Sequence, residues 1–313
     1  MLVLGPPRKA RWRGAWRKGS VRKTVRLPRP LVRWLDAQVA DFLHPPGAPA
    51  VCFLSPYQEP AFAPPDGISW QLFANPITLF IGGVAAVVLE LAEPRVRHGV
   101  WTFSSFRTDP LARLQRTGLA AMATCYAARS VSEPMIRGVS RLHARIEGVA
   151  EDGRAYRADD PDLLRWVGLT AAFCFAHSYS RYVRRLSPAE HDRVWAEAVP
   201  GTRLFGVPDP PATAAEADAI IAGMPLSPSP ILQEFLDTMR AVPAFPPAAR
   251  PLQRLCVEAA LCLLPPATLA MLELEPRMPR GGHLLVRLAA LAANRLPLPS
   301  APWVQAGWRM GLP

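Results

Sequence analysis

One histidine, two arginines and a threonine carry most of the chemistry that this sequence of 313 residues offers. His143 lies in "SRLHARIEG", where Leu142 and Ile146 flank it at helical spacing. An imidazole on or beside a buried face has two uses. It can be a core group satisfied by one carbonyl and one donor. It can instead ligate a metal or haem iron through one neutral nitrogen, the other donating to a carbonyl or carboxylate. Arg113, Arg116 and Thr117 share the stretch "DPLARLQRTGLAAMATCYAA". Arg113 and Thr117 are i,i+4 neighbours and Arg116 lies three beyond Arg113, so all three project over adjacent turns. Two guanidiniums with a hydroxyl can bind a carboxylate or orient bound oxygen. The same set, beside Leu114, Leu119, Ala120 and Met122, also describes an ordinary solvated helix face.

Common enzyme signatures are missing. There is no GxGxxG, Walker loop, HExxH or GxSxG. The six histidines (His44, His98, His143, His177, His191, His283) are scattered, with no two spaced three or four apart. No single helix therefore presents a two-histidine metal face. Five cysteines at irregular spacing include no CxxC pair, which argues against a zinc ribbon, a disulfide framework and covalent haem attachment. Reduced thiols of a cytosolic compartment fit best.

The elements that must position these residues read as helices separated by Pro and Gly. "RPLVRWLDAQVADFL" is amphipathic. "ITLFIGGVAAVVLELAEP" is an apolar helix closed by Pro94. "VRHGVWTFSSFRT" is a short helix. Asp109 caps the arginine helix, with Pro110 at its first position. "SEPMIRGVSRLHARIEGVA" reads as one helix capped by Ser132, and "EDGRAYRADD" as a turn-rich connector. "DPDLLRWVGLTAAFCFAHSYSRYVRRL" is a long, mostly buried helix, and Ser187 with Glu190 forms a capping box for the next. The last third alternates short helices with Pro-rich breaks. Sustained β alternation and internal repeats are absent. The expected fold is all-α, a single compact bundle of ten or more helices over residues 27–313.

Half of the chain is hydrophobic and 19% charged, ample for a sizeable core. The net charge is +11, but residues 1–26 hold nine basic side chains and no acid, leaving +2 for the other 287 positions. The basicity belongs to a tail. That tail, with Trp12 and Trp16 interleaved, reads either as a disordered extension or as a peripheral contact to an anionic membrane surface. Nucleic acid is not the expected partner. "MLVLGPP" is too short for a secretory signal, and "ITLFIGGVAAVVLEL" falls short of a membrane span. A cytoplasmic protein, at most peripheral to a membrane, is the expectation.

Several stretches, in order, resemble the MpaB / latex-clearing-protein (rubber oxygenase) family over residues 60–210. "FAPPDGISWQLFANPITLFIGGVAAVVLELAEPRVRHGV" is similar to the family's entry segment. "FRTDPLARLQRT" resembles its Arg-xxx-Thr helix and "RLHARIEG" its single-histidine helix. "GRAYRADDPDLLRWVG" and "LFGVP" resemble later markers. The resemblance implies an all-α fold enclosing a non-covalent haem b. His143 matches the iron's axial ligand, and Arg113 and Thr117 match polar groups on the haem's other side. Arg116 stands at an often basic position. It further implies an oxygenase that uses dioxygen to cleave a carbon–carbon double bond of an apolar, isoprenoid-like substrate. Imidazole suits haem iron, and an apolar pocket suits both porphyrin and hydrocarbon. The chain departs from the family twice. Trp166-Val167-Gly168 stands where members often read Trp-Val-His. "WTFSSF" stands where many carry an acid and a histidine; if that acid acts as a catalytic base, Thr102 cannot replace it. The alternatives are a haem protein with an altered reaction, or a non-catalytic helical protein that binds an apolar ligand or a partner.

Overall fold

The computed structural model describes residues 28–45, 47 and 50–312. The basic stretch 1–26 lies outside the described residues. Fourteen α-helices, one 3-10 turn and one short hairpin follow in order. The first six helices are α1 (Arg29–Phe42), α2 (Ile68–Phe73), α3 (Pro76–Ala92), α4 (Pro94–Phe103), α5 (Pro110–Tyr126) and α6 (Arg129–His143). Strands β1 (Glu147–Val149) and β2 (Ala155–Arg157) come next, then α7 (Pro161–Tyr182) and α8 (Pro188–Leu204). The remainder is α9 (Ala214–Gly223), α10 (Pro230–Ala241), α11 (Arg250–Leu261), α12 (Pro266–Met271), α13 (Gly282–Ala293) and α14 (Pro302–Arg309). The regular elements of the described residues are helical, as expected, apart from this one hairpin.

The centre of the fold is the α3–α7 pair. Helix α3 is apolar on all sides, and eleven of its 17 residues are buried, as a helix without a polar face requires. Gly82 lets the two backbones approach: a Cβ there would fall 2.6 Å from Phe175 Cδ1 and 3.0 Å from the Cys174 carbonyl. Trp166, fully buried on α7, donates from Nε1 to the Leu89 carbonyl across 3.3 Å. Asn75 starts α3 by accepting from the Thr78 amide at 3.1 Å, and its Nδ2 donates to the Ala290 carbonyl of α13 at 2.9 Å. Glu93 caps α4 through the Val96 amide at 2.9 Å, and buried Arg97 donates back to the Leu91 carbonyl at 3.0 Å. These bonds fix the 109° bend between α3 and α4. Among the described residues no single helix is long and apolar enough to cross a membrane.

A second apolar cluster joins α2, α5 and α14 through Trp70, Leu119, Ala123, Tyr126 and Ala306. Tyr126 donates to the Trp70 carbonyl at 2.7 Å, and their rings meet edge to face at 5.2 Å. Leu111 and Leu114, on the first turns of α5, pack instead against the larger α3–α7 cluster. Helix α5 thus lies across the seam between the two clusters.

Helix α6 differs from the sequence expectation at both ends. It begins at Arg129, and Ser132 is buried inside it, donating to the Ala128 carbonyl at 3.2 Å. Its free amides are met from elsewhere in the chain. The Ser130 amide donates to Glu59 Oε1 at 2.6 Å, and the Arg129 amide donates to the Pro60 carbonyl at 3.1 Å. The helix stops at His143 rather than running to residue 150. The chain turns, and Glu147–Val149 pairs antiparallel with Ala155–Arg157, with Gly148 opposite Tyr156. Gly153 makes the tight turn at φ +82°, a conformation glycine adopts without a Cβ penalty.

Candidate functional site

Four elements bring their polar groups to the seam beside α5. Asp109 caps α5 by accepting from the Ala112 amide at 3.2 Å, and Pro110 occupies its first turn. Arg113 follows one turn later. It donates from Nη1 to the Thr117 hydroxyl, which itself donates to the Arg113 carbonyl at 2.8 Å. Thr117 is exposed on that face. Arg116 turns the other way, its Nη2 2.6 Å from Ser105 Oγ. The structure therefore joins Arg113 and Thr117 as a unit and sends Arg116 toward the α4–α5 connection, where it acts on Arg113 as a like charge.

Opposite Arg113, α3 supplies Glu90. Glu90 is the first charged residue of the apolar run that begins at Ile77. In the sequence Glu90 marks only the end of the uncharged run; the helix itself continues to Ala92. Thr170 on α7 donates to Glu90 Oε1 at 3.3 Å while also reaching the Val167 carbonyl at 3.0 Å. Loss of solvent raises the Glu90 carboxyl from 4.5 to about 7, against the opposing pull of the Arg113 charge and the Thr170 hydroxyl. Burial pushes Arg113 below its usual value, and Glu90 draws it back up.

His143 ends α6 on the same side of the seam. Burial lowers its pKa below 6.5, Arg113 lowers it further, and Asp159 acts in the opposite direction. The hairpin accounts for Asp159: the Ala158 amide donates to the Ile146 carbonyl at 2.9 Å, returning the chain beside the end of α6. Arg157 then holds Asp159 at 3.0 Å. The imidazole has one unexplained feature. Its Nδ1 is buried and has no hydrogen-bond partner. His44, His98, His177 and His283 each make a hydrogen bond through Nδ1. A buried ring nitrogen left bare costs the free energy of its lost hydration and asks for a ligand.

Chemically, the seam holds an imidazole whose protonation burial opposes, a desolvated guanidinium bonded to a hydroxyl, and a carboxyl poised near neutrality. Among the described residues no three His, Cys, Asp or Glu side chains gather as a metal-binding group. One imidazole suffices, however, where a porphyrin supplies the other four nitrogens. The residues present thus fit a haem better than a bare ion. Gly168, where family members often carry histidine, faces α8: a Cβ there would lie 3.6 Å from Thr202 Cγ2.

A family model described as "ER-bound oxygenase mpaB/B'/Rubber oxygenase, catalytic domain" matches residues 70–294. No curated protein and no solved structure matches the chain.

Proposed function

Because the chain belongs to the mpaB/rubber oxygenase catalytic-domain family, we propose that it is a haem b-dependent oxygenase that cleaves a carbon–carbon double bond of an apolar, isoprenoid-like substrate. The observation that carries this reading is the buried, partnerless His143 Nδ1 facing the charge of Arg113. His143 would hold the iron. Haem held by this imidazole would supply dioxygen binding and the oxidising power of the reaction. Addition of both oxygen atoms across a C=C bond gives two carbonyl ends, so the overall reaction balances without an external reductant.

The chain's own groups have separate tasks. His143 stays neutral, hence able to donate its lone pair, because burial and Arg113 both oppose its protonation. Arg113, desolvated and steadied by its bond to the exposed Thr117 hydroxyl, would use its remaining N–H groups to stabilise negative charge on nearby oxygen or to bind a carboxylate. Glu90 takes up or returns a proton at a pKa of about 7, the range in which a carboxyl serves as base and then acid. Thr170 aims that carboxyl through its 3.3 Å bond.

The test is an optical spectrum of the protein expressed with adequate haem supply, followed by a search for carbonyl products from a polyisoprenoid. A strong Soret band and aldehyde or ketone ends are expected. A colourless protein that is thermally stabilised by isoprenoids alone would replace this reading with a non-catalytic apolar-ligand binder.

A further inference from the structure

Away from the His143 seam, a cleft of about 450 Å³ opens between the end of α7 and α13, lined by His177, Ser180, Arg181, Arg185, Leu263 and Arg287. Its three arginines form no ion pair among the described residues. The contrast with their neighbour is sharp: Arg184 holds Glu190 at 2.7 and 3.0 Å and Gln71 at 2.9 Å. Arg181 spends one N–H on the Cys262 carbonyl at 3.1 Å and lies over the Tyr182 ring at 5.9 Å, which fixes the side chain at the cleft without an ion pair. Three guanidiniums in one concavity repel each other unless an anion joins them. Planar guanidinium forks match the oxygens of a phosphate.

Helix α13 adds the second observation. Its inner face is Gly282, Val286 and Ala290, all buried. Its outer face would ordinarily be polar. Instead Leu284, Leu285 and Leu288 stand 60%, 56% and 54% exposed. Arg287 lies at the border of this leucine stripe and also lines the cleft, so the apolar face and the cationic cleft are continuous.

We propose that this surface docks on a membrane containing anionic phospholipid, the arginine cleft receiving a headgroup phosphate and the three leucines entering the acyl boundary. An acidic peptide would neutralise the arginines and leave the leucines in water. An apolar partner helix would cover the leucines and strand three guanidiniums. A bilayer surface offers phosphate and hydrocarbon side by side, in the order in which α7 and α13 present their partners. The basic stretch 1–26 is not required for this surface.

The test compares the full chain with two variants for co-sedimentation with phosphatidylcholine vesicles, with and without phosphatidylglycerol. Arg181→Gln/Arg185→Gln/Arg287→Gln is expected to weaken partitioning to the anionic vesicles by roughly a hundredfold, from the loss of three near-surface charges. Leu284→Gln/Leu285→Gln/Leu288→Gln is expected to weaken it by roughly tenfold or more. Unchanged circular dichroism shows that each variant is folded. Should either fail to fold, Leu285→Trp provides the readout: chain-brominated phospholipids quench its added fluorescence if the face inserts. Wild-type binding that neither variant alters overturns the proposal, as does an added tryptophan that brominated lipid leaves unquenched. A leucine variant that binds as wild type, with inorganic phosphate stabilising wild type but not the arginine variant, assigns the cleft to a soluble phosphate and also overturns it.

Discussion

The Thr170 hydroxyl reaches Glu90 Oε1 across 3.3 Å and 80 positions of sequence, tying α7 to α3 inside the proposed site. Glu90 in turn faces the Arg113 charge. The carboxyl therefore has a fixed direction and a raised pKa together, and both can be measured.

Replacing Glu90 by Gln is expected to leave the Soret band in place and to lower turnover by roughly a hundredfold. The wild-type rate should carry a pH limb near the Glu90 pKa of about 7, and the variant should lose it. Steady-state rates across pH check both. A limb that persists in the variant assigns the proton to another group.

The same carboxyl makes stability depend on pH. Its folded value of about 7 exceeds the ordinary 4.5, so folding favours the protonated form. That contribution is fully present below the unfolded value and is lost as pH rises through the folded one. Relative to Glu90→Gln, the wild type should lose roughly 3 kcal/mol across this window. Urea unfolding of both proteins on either side of the window measures the difference.

His143→Ala should abolish haem retention, reducing the Soret band by more than about tenfold, while helicity remains. In the wild type, haem should stay bound as pH falls past 6.5, because the buried imidazole resists protonation. Spectra recorded during acid titration test this, and release centred on the ordinary histidine value would contradict the environment described.

Arg113→Met removes the charge that holds the Glu90 pKa down and that opposes His143 protonation. The Glu90 limb should move above its wild-type position, and haem release should move toward higher pH. Turnover should fall by roughly a hundredfold, with less than about tenfold for Thr117→Ala. Two shifts in the same direction from one substitution distinguish an electrostatic role from loss of packing.

Gly82→Ala tests the frame on which the site stands. The added methyl would meet Phe175 at 2.6 Å and the Cys174 backbone at 3.0 Å. Separating α3 from α7 should cost about 1–3 kcal/mol. A variant as stable as wild type would show that the two helices do not need so close an approach.

Local sequence signals suffice where one residue type decides the outcome. Asp109-Pro110 and Ser187 with Glu190 start α5 and α8 where their chemistry requires. The α6 start was not legible from Ser132, because the groups that meet its free amides come from Glu59 and Pro60, some 70 positions away. The hairpin escaped because its strands have three residues each, too few for alternation to register. For the site the division is similar. Arg113 and Thr117 are one turn apart, so spacing alone pairs them. Glu90 gains its meaning from Arg113 and Thr170, partners that no local window includes. Asp159 reaches His143 only after the unforeseen hairpin turns the chain back.

Arg309, buried at the end of α14, donates to the Phe53 and Glu59 carbonyls at 3.0 Å each. Phe53 is 256 positions earlier. The same loop residue, Glu59, caps the helix that ends in His143. The chain is thus fastened as a loop, and its clasp doubles as the mount of the proposed iron ligand. Contacts of such sequence separation carry a large closure entropy and follow the local helices in folding. The seating of the helix that ends in His143 is therefore coupled, through Glu59, to the docking of α14.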